Sequence, residues 1–320
     1  MPGTIFLAGV QVEPASMLRD LVGRGEMTIR NPVEWSADQF TLTAHALQSA
    51  GHALRYTSAE TDQSQPRVRR IELADLKDVL AQGLRDFGAY RTDVLFICVI
   101  FPLVGLSLAQ VTVNLGALPL VFPLIAGFAL LGPFAAAGLY EMSRRQERGE
   151  PVSWTDAFGV FASPSFAAIV KLGLLLLAIF LLWLAAAMGV YLATFGRVMP
   201  ASGVAFLREV LTTREGHMMI GLGMMVGFVF ALVVLAISVV SFPLLLDRRV
   251  RVSTAIGTSL RAVAVNPVPM LAWGLIVAVS LAIGAIPFLV GLIVVMPVLG
   301  HATWHLYRKV VVAPGATPRA

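Results

Sequence analysis

The chain has 320 residues, of which 57% are hydrophobic and only 13% charged, with a mean hydropathy of +0.80 and a formal net charge of +5. That balance excludes an ordinary soluble globular protein, in which about a quarter of the residues are charged. The positive excess does not point to nucleic acid, because Lys and Arg gather beside the apolar stretches, where they read as topology determinants.

Residues 1–66 read as a cytoplasmic extension. Ile5 to Val10 is too short for a signal-peptide core and follows no basic residue, so no cleaved leader is expected; Met27 is an alternative initiator. Asn31-Pro32-Val33-Glu34 reads as a helix start, with Asn31 as N-cap, Pro32 at the first helical position and Glu34 closing a capping box. Val33, Phe40, Leu47 and Leu54 recur every seven positions, with Ala37, Ala44 and Gly51 four further on, which predicts an amphipathic helix at about 32–55. Its apolar face suits either a helix lying on the membrane or a self-association seam that would make a homo-oligomer. His45 and His52 fall on the opposite face and read as solvated, and residues 56–66 form a polar linker.

Six apolar stretches follow within a membrane domain at 67–312, at roughly 94–110, 118–140, 168–193, 219–246, 268–283 and 285–300, before a short tail at 313–320. At about 1.5 Å per residue they reach roughly 24 to 42 Å, against a hydrocarbon core of about 30 Å. The last two are separated only by Gly284-Ala285-Ile286-Pro287, a turn that favours a tight hairpin over one long buried element. The single Cys98 lies in the first stretch and forms no disulfide within the chain.

Each pair of stretches follows a short amphipathic segment. Leu76, Val79, Leu80, Gly83, Leu84 and Phe87 make an apolar stripe, with Asp75, Lys77, Asp78, Arg85 and Asp86 away from it. Ser153-Trp154-Thr155-Asp156 is a capping box before Phe158 and Phe161, and Ser253 is expected to cap a helix carrying Ile256, Leu260 and Val263. These two helices should stop at Ser163-Pro164 and Asn266-Pro267. The second stretch of each pair carries a proline a few turns before a basic exit: Pro133 before Arg144-Arg145, Pro243 before Arg248-Arg249, and Pro297 before Arg308-Lys309. The expected fold is therefore an all-α, polytopic membrane helix bundle of six transmembrane helices, built as three repeats of interfacial amphipathic helix plus helical hairpin. Residues 194–217 interrupt the repeat as an outer loop, with a short helix expected at 203–211.

Orientation follows from the basic residues. One side holds Arg67, Arg69, Arg70, Lys77, Arg85, Arg91, Arg144, Arg145, Arg148, Lys171, Arg248, Arg249, Arg251, Arg261, Arg308, Lys309 and Arg319; the other holds Arg197, Arg208 and Arg214. Both termini are expected in the cytoplasm, with Arg144, Arg145, Arg248, Arg249, Arg308 and Lys309 as membrane-interface and topology residues meeting anionic lipid headgroups.

Candidate chemistry is sparse. Asp93, Glu141, Lys171 and Asp247 lie at span ends, where snorkelling or capping explains them, so a proton-coupled carrier is not favoured. His301 and His305 sit four apart and share a helix face, as a metal or haem pair would, but no carboxylate or Cys is in register with them. An interfacial cluster with Trp304 and Tyr307 is the better reading, and His217 stands alone in the outer loop. Gly223 and Gly227 form a Gly-x-x-x-Gly that predicts close helix packing, with Gly132 and Ala136 a looser version. Pro102, Pro123, Pro133, Pro243 and Pro297 should kink their spans. No phosphate-binding Gly-rich loop, His-Glu-x-x-His or Gly-x-Ser-x-Gly is present, so no catalytic residue, metal or cofactor is expected.

The stretches Leu131-Gly132-Pro133-Phe134 to Gly138-Leu139-Tyr140-Glu141-Met142-Ser143-Arg144-Arg145, Ser238-Val239-Val240-Ser241-Phe242-Pro243-Leu244-Leu245-Leu246-Asp247 and Leu299-Gly300-His301-Ala302-Thr303-Trp304-His305-Leu306-Tyr307-Arg308 resemble a bacterial integral-membrane family, domain of unknown function 2189. The resemblance covers roughly 68–312 and implies a bacterial inner-membrane protein with no catalytic or binding residue to carry over. Some members carry a cytochrome c oxidase subunit I label, yet a haem-copper core needs about six ligating histidines within its spans. This chain has five histidines, none well inside a span. The expected function is thus a non-enzymatic permease-like module for an apolar or amphipathic solute, or an envelope scaffold; a redox subunit using His301 and His305 is the alternative. Intramembrane hydrolysis lacks a nucleophile and base pair and is the weakest reading.

Overall fold

The computed structural model describes residues 5–7, 10–12, 66–114, 116–197 and 200–312. The amphipathic helix expected at 32–55, with His45 and His52, and the tail at 313–320 lie outside the described residues. The chain divides into two units, Met1–His52 and Ala53–Ala320. In the first, β1 (Ile5–Leu7) pairs antiparallel with β2 (Val10–Val12).

The second unit is helical. It opens with α1 (Leu73–Cys98) and α2 (Ile100–Asn114), which run nearly end to end. The segment 118–147 follows in pieces: a 3-10 turn, α3 (Val121–Phe128), a second 3-10 turn, α4 (Gly132–Ala135) and α5 (Ala137–Glu147). A 3-10 helix, Trp154–Ala162, leads into α6 (Phe166–Phe195). Then come α7 (Gly203–Thr212), α8 (Arg214–Ser238), α9 (Ser241–Asp247), α10 (Val252–Val265), α11 (Pro267–Ala285) and α12 (Leu292–Val310). The outer-loop helix expected at 203–211 is α7.

Among the described residues, four segments are long and apolar enough to cross a membrane: Leu118–Glu147, Phe166–Phe195, Arg214–Asp247 and Pro267–Ala285. Ile100–Asn114 is a shorter apolar helix. Their outer faces are apolar; Leu271, Leu275, Val279 and Ile283 recur every four residues along α11, all exposed. A continuous apolar stripe of this kind suits lipid rather than water.

Proline breaks two of these segments. The 118–147 segment is interrupted just before Pro133, and α8 gives way to α9 at Val239-Val240, ahead of Pro243, because proline removes a helical donor and crowds the preceding turn. Pro297 sits inside an unbroken α12. The turn between α11 and α12 falls at 286–291, later than Gly284-Ala285-Ile286-Pro287, with Phe288 (φ 50°) and Leu289 (φ 65°) in the left-handed region. Leu289 is buried there while Phe288 is exposed, so packing of Leu289 offsets the backbone strain.

Two further expectations change. Ser253 does not cap α10; it lies inside the first turn, and the N-cap is Arg251. Leu84 is exposed and Asp86 buried on α1, because the buried arc runs through Leu76, Val79, Gly83 and Asp86 at spacings of three and four.

α1 lies against α12. At their closest approach a Cβ on Gly83 would stand 2.7 Å from Ala302 and from the Val298 carbonyl, so only glycine fits. The chain preceding α1 pairs with the chain following α12: Arg69 N–H donates to the Val310 carbonyl (2.9 Å) and Val312 N–H to the Arg67 carbonyl (3.0 Å). Asn266 joins the same seam from the α10–α11 junction. Its Oδ1 accepts from Ile71 N–H (2.8 Å) and its Nδ2 donates to the Arg69 and Ala262 carbonyls, both at 3.1 Å.

Candidate functional site

Between the apolar helices lies a cavity of about 1600 Å³. It is walled by α2, the 118–147 segment, α6, α8, α11 and α12, with α7 against its far end. Tyr191 and Phe195 of α6 both pack on Phe206 of α7, with ring centroids 5.9 Å apart in each pair, which fixes α7 over that end. Three polar groups in the wall are turned to the backbone. Ser238 Oγ donates to the Val234 carbonyl (2.6 Å), Thr303 Oγ1 to the Leu299 carbonyl (2.7 Å), and Trp183 Nε1 to the Pro123 carbonyl (2.7 Å). The space therefore presents hydrocarbon and aromatic surface, suited to an apolar occupant and poor for a hydrated ion.

Trp183 is one of two tryptophans in that wall, and glycines make its place. A Cβ on Gly127 would collide with its indole, and one on Gly227 would stand 3.2 Å from it. Gly223, one turn earlier on α8, has open space where a Cβ would go and faces the cavity. The Gly-x-x-x-Gly thus brings Gly227 to Trp183 and leaves Gly223 beside empty volume; Gly132 likewise meets nothing.

The basic exits meet at one end of the bundle. Arg308 bridges the ends of α5 and α9, with Nη2 2.8 Å from Glu147 and Nη1 3.5 Å from Asp247. The Tyr307 hydroxyl donates to Asp247 (2.6 Å), and Trp304 Nε1 donates to Glu147 (3.1 Å). Trp304 and Tyr307 are buried at this junction. Burial, with the Asp247 charge beside it, pushes the Tyr307 hydroxyl above its usual range. Lys309 pairs with Asp75 (2.7 Å) and Asp78 (3.0 Å) of α1; its hydrogen bond to Asp75 holds that carboxyl below the ordinary carboxylate range. Glu141 is buried and takes Arg144 through two bonds (2.8 and 2.7 Å) and Arg145 through one (3.1 Å). Arg145 also reaches Asp156, whose other oxygen accepts Ser153 N–H at 2.8 Å and holds the start of the 3-10 helix.

A buried polar cluster sits just inside this end. Ser143 Oγ donates to Asp86 Oδ2 (2.9 Å), and His305 Nε2 lies 2.8 Å from the same oxygen. His301 Nδ1 lies 2.7 Å from Ser143 Oγ. Since the single Ser143 proton goes to Asp86, Nδ1 of His301 carries the proton donated to Ser143, and its Nε2 is the bare nitrogen. That Nε2 is buried with no hydrogen-bond partner. Burial pulls the His301 imidazole down to about 4, the neighbouring Asp86 charge opposing the shift. For Asp86 burial acts to raise the carboxyl, but the hydrogen bonds and charge from His305, His301 and Ser143 outweigh it and hold it below its ordinary value.

His301 and His305 do share one face of α12. A carboxylate meets them after all, from α1, which local spacing on α12 could not reveal. Asp86 and Ser143 went unread in the sequence as partners; the signal available was the register of Asp86 with Leu76, Val79 and Gly83. The cluster fastens α1, α5 and α12 at one point. Among the described residues, no group of three or more His, Cys, Asp and Glu side chains is arranged to hold a metal ion.

Comparison with known families agrees with this architecture at the coarse level. The family model described as predicted integral membrane protein, domain of unknown function 2189, matches residues 121–247, from α3 to α9. This is narrower than the 68–312 of the sequence resemblance. No curated protein and no solved structure matches the chain.

Proposed function

We propose that this chain is a non-enzymatic, permease-like membrane module that holds an apolar or amphipathic molecule between its spans. The observation that carries the proposal is the cavity of about 1600 Å³, whose wall is mostly apolar and in which Ser238, Thr303 and Trp183 are turned to backbone carbonyls. Filling such a space with hydrocarbon costs little, whereas a polar solute would forfeit hydrogen bonds. An envelope scaffold would call for a filled core, and the cavity favours carriage instead.

The architecture belonging to this reading is six spans in three repeats of surface helix and helical hairpin. It is supported by the meeting of the three basic unit endings, where Arg308 reaches both Glu147 and Asp247. In a bacterial inner membrane this end, carrying Arg144, Arg145, Arg248, Arg249, Arg308 and Lys309, would face the cytoplasm together with both termini, against anionic lipid headgroups.

Tryptophan quenching tests the proposal, because Trp183 and Trp273 both line the cavity. A brominated fatty acid added to the purified full-length protein should quench fluorescence saturably. Gly223→Phe, which fills open space in the wall, should remove the saturable part while leaving the fold intact by circular dichroism. Linear, non-saturable quenching equal in both proteins would refute occupancy of the cavity.

A further inference from the structure

Where α6 begins, a cleft of about 330 Å³ opens between the ends of α5 and α9. Arg144 and Arg145 enter it from α5, and Arg248 and Arg249 from just beyond α9. Two carboxylates, Glu141 and Asp247, share the lining with these four guanidinium groups, and Asp156 pairs with Arg145 at 2.8 Å from outside it.

Both carboxylates are already engaged. Glu141 is bound by Arg144 and Arg145, and Asp247 by Tyr307 and Arg308. They position the arginines and have little capacity left to compete with an incoming anion. Arg248, its side chain only 12% exposed, donates through Nη2 to the Val312 carbonyl (2.6 Å). Its Nε is buried without a hydrogen-bond partner, Asp247 standing 3.6 Å away. The start of α6 also lines the cleft through Ser163 and Ser165, and no side chain caps its first turn, so the helix dipole adds to the positive field.

A separate observation indicates what brings the anion. The 3-10 helix that contributes Gly159 and Ala162 to the cleft wall carries Phe158 and Phe161, 51% and 64% exposed, their rings stacked with centroids 6.2 Å apart. Exposed aromatic rings beside a basic cleft match a lipid surface, with rings among the acyl chains and guanidinium groups at the depth of the phosphates.

We propose that this cleft is a phosphate-group site, occupied by the headgroup of an anionic phospholipid. The proposal rests on the membrane placement of the basic end given above and does not depend on the apolar cavity. Each oxygen-rich phosphate can take two forked guanidinium contacts, which a zwitterionic headgroup, carrying its own ammonium, would oppose.

The test uses purified full-length protein. Retention of phosphatidylglycerol and of phosphatidylcholine would be compared by native mass spectrometry, and inorganic phosphate would be titrated with melting temperature as the readout. The wild type should retain phosphatidylglycerol preferentially, and Arg249→Gln and Arg145→Gln should each lower that retention about fivefold. Lys77→Gln, a basic change at an exposed position of α1 outside the cleft, should retain lipid as the wild type does. Should phosphate raise the melting temperature of the wild type and not of Arg249→Gln, without lipid preference, the phosphate site stands and its source is soluble. Equal retention of the two lipids with no effect of phosphate overturns the proposal, as does an equal loss in Lys77→Gln. Saturable quenching by the brominated fatty acid should persist in Arg249→Gln, so failure at the cleft is distinguishable from failure at the cavity.

Discussion

Trp183 donates its indole N–H to the carbonyl of Pro123 at 2.7 Å, a bond from α6 to α3 set in an otherwise apolar wall. The ring packs on Phe230 of α8, so one side chain ties three segments around the cavity. Trp183→Phe keeps most of the ring and loses the bond; it should cost about 1 kcal/mol, the usual scale for an interhelical hydrogen bond in a membrane protein. Denaturant titration of the two proteins in the same detergent measures that difference. Trp183→Ala should cost more, since it also opens the wall.

Acidification should loosen the end of the bundle where α1, α5 and α12 meet. His301 is held at about 4 against an ordinary 6.5, so the unfolded chain takes up a proton that the folded one refuses. This contribution to stability is complete above pH 6.5 and is lost as pH falls toward 4; the shift corresponds to about 3 kcal/mol. Asp86, also held low, extends the loss into the range below its ordinary 3.8. Melting temperature against pH should therefore fall through this window, and His301→Gln should flatten its upper part. A wild-type profile already flat between pH 6.5 and 4 would contradict the assignment.

Asn266→Ala should destabilise by about 2 kcal/mol, because it removes the acceptor for Ile71 N–H and a donor to two carbonyls at a nearly buried position. Asn266→Asp keeps the acceptor and should recover part of the loss in thermal melts.

Gly83→Val should cost roughly 1 to 3 kcal/mol, since its side chain would drive α1 off α12. Gly88→Ala, five residues on, meets nothing within 4 Å and should be neutral or slightly stabilising through helix propensity. Parallel melts of the two variants separate packing from propensity.

Much of the architecture was legible because it depends on local patterns. The long apolar runs, the prolines before Arg144 and Arg248, and the small helix at 203–212 all follow from periodicity and breakers within a few turns. Ser253 misled because a capping residue type at a plausible start does not determine which residue is last outside the helix. Contacts between distant residues were illegible for a different reason. Asp86 and His305 are far apart in sequence, and nothing within either helix records that the other carries a partner. The same holds for Trp183 with Pro123 and for Asn266 with Ile71. The cavity was invisible altogether, since an empty volume has no residue of its own.

The stitch between Arg67–Arg69 and Val310–Val312 bears on how the chain is made. During synthesis α1 emerges long before α12, yet its buried face is completed by Ala302, its Asp86 by His305 and its leading backbone by Val310. The first helix of this unit therefore waits, its inner face uncovered, until the last has left the ribosome. The contacts that join the two ends of the bundle therefore form only after α12 has been made.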